Sequence, residues 1–288
     1  MQKRKIGIVV DSTCGSNYSQ NLFNDVSIVP LTVMVDGQDY VDGTIDNEKL
    51  LQFIDQRCKV TTSQPNPEIF IQAFQKQFDL GYQHVICLTL SHTLSGTVNS
   101  ALLAKKILNE SRITVIDTEN VGPAVIFALK RIHYLLEQNP NIIPQALALQ
   151  IKQEQDQGVL FCTVENLKIL AYNGRISKFR VLLGNLLRIH PILKFQKSIL
   201  SIEKKVRSFK KCLDYLINKI IDCKTLNNIL DIQVIYVVDD QNAQELVDKI
   251  KKLGDPQIQI SLYGKISSVI AAHIGYKGFG LYINEIKK

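Results

Sequence analysis

The sequence predicts a two-domain α/β protein, with an N-terminal, doubly wound and mostly parallel sheet and a C-terminal α+β domain whose sheet is mixed or antiparallel. The first observation is length, because 288 residues correspond to two domains at roughly 150 residues each. The second is composition: 45% apolar and 21% charged residues are typical of a globular chain and exclude a disordered or fibrous one. The third is pattern, since strand and helix signals alternate in the first half and hairpin signals appear in the second.

The first half of the chain contains four buried apolar runs that predict strands. They cover residues 6–10, 26–35 (interrupted by Pro30), 84–90 and 112–117. Between them, apolar residues at helical spacing predict helices over 47–56, 67–78 and 97–108. The polar stretch 61–67 contains two prolines, which predicts irregular structure there. Strands that alternate with helices favour a parallel sheet.

The second half has a different order of elements. Strands are predicted over 159–164, 231–238, 257–262 and 280–286, and a hairpin is predicted to join 192–195 to 199–203. Helices are predicted over 144–157, 165–172, 208–221, 241–253 and 265–273. We place the domain boundary at Gly158, which gives an N-terminal domain of residues 1–157 and a C-terminal domain of residues 158–288.

The charge balance limits the classes of partner. Against 27 acidic residues, the 34 Lys and Arg residues give a formal net charge of +7, which favours an anionic partner or surface. No nucleic-acid recognition motif accompanies this charge, so no nucleic-acid partner is expected. The apolar run 6–10 is too short for a signal peptide, and no run reaches the roughly 18 residues of a spanning helix. The six cysteines lack metal-site spacing, so we expect a cytoplasmic protein without a metal.

Hydroxyl-rich segments at the ends of predicted strands are the main candidates for a ligand site. They are residues 11–13, 61–63 and 91–97, and ligands of open parallel sheets bind beyond the carboxyl ends of the strands. The third segment precedes a helix, whose N-terminal N–H groups attract anions, and Gly96 would let a ligand approach the backbone. Donors without a nearby Lys or Arg suit a single carboxylate better than a triphosphate. The same pattern is explained if Ser91 or Ser95 only caps the helix.

His273 is the second candidate for chemistry. Three glycines follow it at positions 275, 278 and 280, ahead of the last predicted strand. Such a turn lets a ligand approach the backbone closely. A histidine at this place either donates to a ligand or bonds only the local backbone, and the residues alone leave both alternatives open. No nucleotide-binding motif occurs, so no cofactor is expected.

Five short motifs occur in one order along the chain. They are Asp11-Ser12-Thr13, Thr62-Ser63-Gln64-Pro65, Leu94-Ser95-Gly96-Thr97, Asn173-Gly174-Arg175-Ile176-Ser177 and His273-Ile274-Gly275. This series resembles the DegV family of fatty-acid-binding (FakB-type) proteins over residues 6–286. The resemblance implies a carrier that holds one long-chain fatty acid in an apolar tunnel between its two domains. It also implies that a separate ATP-dependent fatty acid kinase forms an acyl phosphate from the presented carboxylate for phospholipid synthesis, and that the carrier has no catalytic residues.

The resemblance further implies roles for particular residues. Those expected to bind the carboxylate are Thr62, Ser63, Ser95, Gly96 and His273, and Arg175 matches an exposed arginine associated with kinase contact. The tunnel needs apolar walls, for which the candidates are Ile126, Phe127, Leu102, Phe161, Phe179, Leu183 and Leu187; an ordinary core would explain the same residues. After the histidine motif the family usually has Pro-Gly, whereas this chain has Tyr276-Lys277.

Two further interpretations accompany the carrier hypothesis. The fold resembles that of dihydroxyacetone-kinase substrate subunits, and in such an enzyme His273 and Ser95 would form an acid–base or nucleophilic pair. That pair needs a third residue to orient the histidine, and the sequence names none. Residues 175–197 mix basic and apolar side chains, which predicts an amphipathic lid helix in transient contact with an anionic membrane surface at the inner face. A core helix with solvated charges would give the same pattern.

Overall fold

The computed structural model describes residues 4–164, 170, 174–175, 189–224 and 228–287. The described strands form three sheets, of four, three and six strands. The predicted helix 165–172 and most of the predicted lid segment lie outside the described residues.

The four-stranded sheet is the parallel sheet that the sequence predicts. Its strands are β1 (Ile6–Asp11), β2 (Ser27–Val29), β6 (His84–Thr89) and β7 (Ile113–Asp117), in the order β2-β1-β6-β7. All neighbouring pairs are parallel. Separate apolar clusters cover its two faces, as expected when both faces of a parallel sheet carry helices. The sheet is therefore doubly wound.

The helices of the first half surround this sheet. They are α1 (Ser16–Leu22), α2 (Asn47–Asp55), α3 (Pro67–Asp79), α4 (Thr97–Leu108), α5 (Pro123–Gln138) and α6 (Pro144–Gln155). Asn66 caps α3 by accepting from the Glu68 N–H, and Pro67 occupies the first helical position, where its missing N–H costs nothing. The buried helix α5 was not predicted, because its first residues read as a short apolar run with Gly122 and Pro123.

The three-stranded sheet corrects the prediction of irregular structure over 61–67. It contains β3 (Thr32–Val35), β4 (Gln38–Val41) and β5 (Val60–Ser63), with β3 in the middle. Both pairings are antiparallel. Thr61 and Thr62 are β-branched and pair with β3, so only the residues between Ser63 and Pro67 are irregular. Residues 60–63 are a strand because they pair with β3, although their local composition does not indicate a strand.

The six-stranded sheet is mixed, as predicted for the second half. Its strands are β8 (Val159–Thr163), β9 (His190–Gln196), β10 (Ile199–Val206), β11 (Asn228–Tyr236), β12 (Ile258–Lys265) and β13 (Phe279–Lys287). The order is β10-β9-β8-β13-β11-β12, and only the β11–β12 pair is parallel. Lys197 and Ser198 both have positive φ and form the two-residue turn of the predicted hairpin.

Three helices complete the described part of the second half. They are α7 (Phe209–Asp222), α8 (Gln241–Lys251) and α9 (Ser268–Ile274). Helices α7 and α8 cover one apolar face of the six-stranded sheet. Helix α9 instead packs with β3, β5 and α2 of the first half. The cavity described below lies at this junction.

The predicted fold class is confirmed: a doubly wound parallel sheet is followed by a mixed sheet with its own helices. The first two sheets use residues up to Asp117, and the third begins at Val159. The domain boundary at Gly158 stays a prediction. Within the described ranges, none of the helices combines the length and apolar character that crossing a bilayer requires.

Candidate functional site

A deep cavity lies between the first and second halves of the chain. The empty space that it encloses, together with its opening to solvent, is about 1020 Å³. The first half contributes the ends of β1, β5 and β6 together with the residues before α4. The second half contributes β8, β9, β11, β13 and helix α9. Most of the wall is apolar, and the polar side chains belong to a few neighbouring segments.

The polar part of the wall is assembled from the motifs of β5, the β6–α4 loop and α9. Thr62 Oγ1 and His273 Nε2 are 3.0 Å apart. Thr62, Ser63, Ser95 and His273 all line the cavity. Gly96 does not line it; a Cβ at this position would overlap the Gln64 side chain, which does. The structure therefore brings together four of the five residues expected at a carboxylate, and Gly96 makes room for Gln64 beside them.

Ser95 both lines the cavity and supports the start of α4. Its Oγ is 2.8 Å from Thr97 Oγ1 and accepts the Thr97 N–H at 3.3 Å. Both interpretations of this serine, helix cap and ligand donor, are compatible with that geometry. Gln64 is fixed on the other side because its amide donates to Ser100 Oγ at 3.0 Å. Gln64 lines the cavity and its amide carries N–H donors, but the sequence analysis did not single out this residue.

His273 is neutral at physiological pH in this setting. Burial, with a smaller contribution from the nearby Arg175 guanidinium, lowers its pKa to about 4. Its buried Nδ1 has no hydrogen-bond partner among the described residues. A buried nitrogen without a partner is costly, which disfavours adding a charge to this ring. The described contacts pair His273 with Thr62 and Ser95 with Thr97, so they do not supply the His273–Ser95 pair of the enzyme hypothesis.

Arg175 lies in the cavity wall rather than on open surface, which differs from the exposed position expected of it. Its side chain is half-buried, its Nε donates to the Leu94 carbonyl at 3.4 Å, and burial lowers its pKa. The guanidinium is thus close to the loop that carries Ser95 and close enough to His273 to affect its pKa. The sequence analysis expected no Lys or Arg near the hydroxyl groups of residues 91–97. This was wrong because Arg175, which is remote in sequence, reaches that loop in the fold.

The Asp11-Ser12-Thr13 motif mainly holds the backbone around the cavity. Asp11 accepts from the Thr13 N–H at 2.9 Å and from the Leu90 N–H at 2.5 Å. Ser12 donates to Asp42, whose other oxygen accepts from Ser268 of α9. Burial raises the pKa of Asp11 to about 6, although its hydrogen bonds act in the opposite direction. Of the three motif residues, only Thr13 lines the cavity.

The apolar wall differs from the one expected. On β8 and β9 every second residue lines the cavity, in the series Leu160-Cys162, continued by Val164 just after the strand, and Leu193-Phe195. At the end of β11, Ile235, Tyr236 and Val237 all line it. Phe161 lies between Leu160 and Cys162 and points into the opposite core, because neighbouring residues of a strand face opposite sides. Alternation along the buried strands was the signal that could have found this wall.

The remaining candidates for the acyl wall also lie elsewhere or are not described. Ile126 packs in the core of the parallel sheet, and Phe127 packs on Tyr282 behind the cavity. Leu102 is 47% exposed on α4. The other three candidates, Phe179, Leu183 and Leu187, lie outside the described residues. Of the described candidates, Ile126 and Phe127 therefore contribute to core packing, while strands and the last helix supply much of the described apolar wall.

The described part of the site offers polar groups for an anion rather than a set of metal ligands. The described residues contain no group of three or more His, Cys, Asp or Glu side chains placed to hold a metal ion. The wall offers hydroxyl groups, an amide, an imidazole and one guanidinium at an otherwise apolar cavity. That combination suits a ligand with a small anionic head and a long apolar body.

Comparison with known proteins agrees with this geometry. A family model described as "Uncharacterised protein, DegV family" matches residues 5–285. This chain belongs to the DegV family. A DegV domain-containing protein of Clostridium acetobutylicum is 30% identical over 284 residues, which cover 98% of this chain and 99% of that protein.

Two further DegV relatives are fatty-acid-binding proteins. A fatty acid-binding protein of Thermotoga maritima is 29% identical over 293 residues, covering 99% of this chain and all of that protein. The structure of a DegV family protein of Thermus thermophilus, described by its fatty acid binding, matches with a TM-score of 0.88 and 26% identity. The match covers 98% of this chain and 100% of that one. Fatty acid binding is therefore a property of DegV relatives that share the whole fold.

Proposed function

We propose that this DegV protein binds one long-chain fatty acid, with the carboxylate at Thr62, Ser63, Ser95 and His273 and the acyl chain along the strand wall. The observation that carries the proposal is the hydroxyl–imidazole cluster at the polar part of a deep apolar cavity. The fatty acid binding of relatives in Thermotoga and Thermus supports the same ligand class.

The energetics favour such a ligand. Burying an acyl chain contributes about 0.8 kcal/mol per CH₂, so roughly sixteen carbons supply more than 10 kcal/mol before ordering costs. A carboxylate in the same cavity needs several donors to replace its water. Thr62 and Ser95 provide hydroxyl donors, and a neutral His273 can donate one N–H. Arg175 adds a positive charge at the same wall, which favours the ionised form of the acid.

We further propose that the bound acid is presented to a separate ATP-dependent kinase, which would form an acyl phosphate. The resemblance of the five motifs supports this partner. The exposure gradient supports it as well, since Thr62, Ser63 and Ser95 are partly accessible whereas Leu160 and Phe195 are buried. A partner could then approach the carboxylate without unpacking the acyl chain. In this proposal Arg175 contributes to kinase contact from the rim of the cavity, and the carrier has no catalytic step of its own.

Exchange of the acid at an anionic bilayer is the remaining part of the proposal. It rests on the net charge of +7 and on the mixture of basic and apolar residues in 175–197. Reversing the charges of Arg180 and Arg188 should slow transfer of a fatty acid from anionic vesicles while leaving transfer from neutral vesicles unchanged. Equal rates for the variant and the parent protein on anionic vesicles would contradict the membrane contact.

The fatty acid proposal predicts a head-group test. Wild-type protein should bind a long-chain acid in one-to-one amount by native mass spectrometry and should bind its methyl ester much more weakly. Thr62→Val and Ser95→Ala should each lower affinity for the acid by roughly tenfold or more, because hydrogen bonds to charged groups contribute about 1.5–3 kcal/mol. Neither substitution should change affinity for the ester.

The matched control is Thr61→Val. Thr61 neighbours Thr62 on β5 but does not line the cavity, so acid affinity should stay unchanged. If the protein binds no fatty acid, or if the Thr62 and Thr61 variants behave alike, the proposed site is wrong.

A further inference from the structure

The register of the six-stranded sheet arranges the floor of the cavity in rows. Cys162 pairs with Leu193 on one side and with Gly280 on the other, and Gly280 pairs with Ile235. All four line the cavity. At the centre of this row Gly280 has no side chain; a Cβ there would lie 3.2 Å from Ile235 and 3.5 Å from Leu160. The Ile235 and Leu160 side chains therefore lie close over the middle of this row, where Gly280 itself contributes no side chain.

The next row along the same face is filled by large side chains. Leu160 pairs with Phe195 and with Tyr282. Leu160 and Phe195 line the cavity and are 5% and 1% exposed, whereas Tyr282 is fully buried behind them. The Phe127 ring packs on Tyr282 with centroids 5.7 Å apart. Tyr282 and Phe127 thus pack in one buried cluster with the two wall residues, with Tyr282 directly beside Leu160.

Behind the filled row, the same sheet face becomes polar. Asn284 pairs with Asp231, and Asp231 binds Lys130 at 2.6 Å. The side-chain oxygen of Asn284 is buried without a partner in the described part of the chain, and so is that of Gln233, which pairs with Tyr282 in the filled row. An acyl tail that reached this row would cover polar groups and gain no apolar contact.

The polar cluster lies at the other end of these rows. A Cβ at Gly278 would overlap Ile274, the residue after His273, and would lie 3.0 Å from Val237. The end of α9 therefore sits over Gly278. From Gly278 to Tyr282 the strand advances four residues, or about 13 Å at 3.3 Å per residue. The filled row is thus at the distal end of a cavity that begins at His273.

We propose that Leu160 and Phe195 form an end wall that sets the longest acyl chain the protein accepts. The inference rests on the proposed fatty acid function and adds its length specificity. Up to the end wall each methylene finds apolar space, which is worth roughly fourfold in affinity. Beyond it, a longer chain must displace two closely packed side chains or buckle, so affinity stops rising.

Truncation of the end wall tests this. The full-length protein is titrated with saturated acids from about eight to twenty-two carbons, and affinity is plotted against length. Wild type should reach a maximum. Leu160→Ala and Phe195→Ala should each move that maximum by about two carbons and raise the ratio of long-acid to short-acid affinity roughly tenfold. Leu160→Val and Phe195→Leu should move it in the same direction by less and keep the protein folded if the alanine variants do not.

Leu281→Ala is the matched control. Leu281 is fully buried next to Tyr282 on β13, but it faces the opposite core. It should lower stability without changing the affinity ratio. A wild type that binds acids of every length without a maximum, or wall variants that keep the wild-type ratio, would overturn the end wall while leaving fatty acid binding intact. A wild type that binds no acid would overturn the proposed function itself.

Discussion

The buried surroundings of His273 disfavour the protonated form of its imidazole. It lies near Arg175, has Thr62 as its described partner, and its pKa falls to about 4. A neutral imidazole at this position can offer one N–H to an anion without adding a second buried charge. The nearby arginine then supplies the positive charge and the histidine supplies a directed hydrogen bond.

The depressed pKa of His273 gives a pH dependence with a defined sign. An unfolded histidine titrates near pH 6.5 and the folded one near 4, so between these values the unfolded state binds more protons. The stability contribution of neutral His273 is therefore complete above pH 6.5 and is lost as pH falls toward 4, by up to about 3 kcal/mol.

This effect is measured by urea unfolding of the wild-type protein and of His273→Gln, both free of bound fatty acid, between pH 7.5 and 4.5. The difference between their free energies of unfolding should shift in favour of the variant as pH falls. Taking the difference matters because Asp11, with its pKa raised to about 6, has the opposite influence on wild-type stability. A difference that is constant with pH would show that His273 titrates normally.

At the scale of single residues, motifs predicted the polar part of the site and failed for the apolar part. Thr62, Ser95 and His273 could be singled out because they belong to recognisable motifs at strand ends and turns, and all three line the cavity. Leu160 and Phe161 carry no such signature. Which of them faces the cavity depends on the pleat of β8, and a one-residue error exchanges the faces.

At the scale of elements, local periodicity predicted most of the described helices, though not α1 or α5, and it missed the strands that depend on long-range pairing. Helix α4 runs from Thr97 to Leu108, as the spacing predicts. The strand β5 was predicted as irregular, since threonines and nearby prolines dominate its composition and only its pairing with β3 makes it a strand. Long-range pairing is not encoded in any short window of sequence.

The start of β8 depends on a glycine at position 158. A Cβ there would overlap the Tyr282 hydroxyl and approach Asn284 Nδ2 closely. Gly158→Ala should lower the free energy of unfolding by about 2 kcal/mol, because the closely packed core cannot yield without strain. Thermal or urea unfolding measures this. In a Tyr282→Phe background the same substitution should cost less, since the nearest overlapping atom is gone; an equal cost in both backgrounds would contradict the steric explanation.

At the scale of the whole molecule, the six-stranded sheet has two different faces. One carries the apolar core under α7 and α8. The other faces the cavity near Gly280 and the first half of the chain near Asp231, where Lys130 of α5 reaches the sheet. The sequence predicted two units but not this contact, because charged residues 101 positions apart have no detectable relation in one sequence.

The Lys130–Asp231 pair should therefore contribute to holding α5 against the sheet. Asp231 is 4% exposed and its carboxylate is 2.6 Å from Lys130 Nζ. Lys130→Met leaves that carboxylate buried without its counter-charge and should lower the free energy of unfolding by about 2 kcal/mol. This is below the 3–5 kcal/mol of fully buried pairs, because the Lys130 side chain is 28% exposed.

The double variant Lys130→Met/Asp231→Leu separates charge from packing. It removes both charges, so it should recover most of the stability lost in Lys130→Met. Lys152→Met is the control, since Lys152 pairs with Glu119 at 2.6 Å but both side chains are about one-third exposed, and such pairs contribute at most about 1 kcal/mol. A double variant less stable than Lys130→Met would mean that the carboxylate of Asp231 contributes through Gln233 rather than through the ion pair, and α5 would then be held by apolar packing alone.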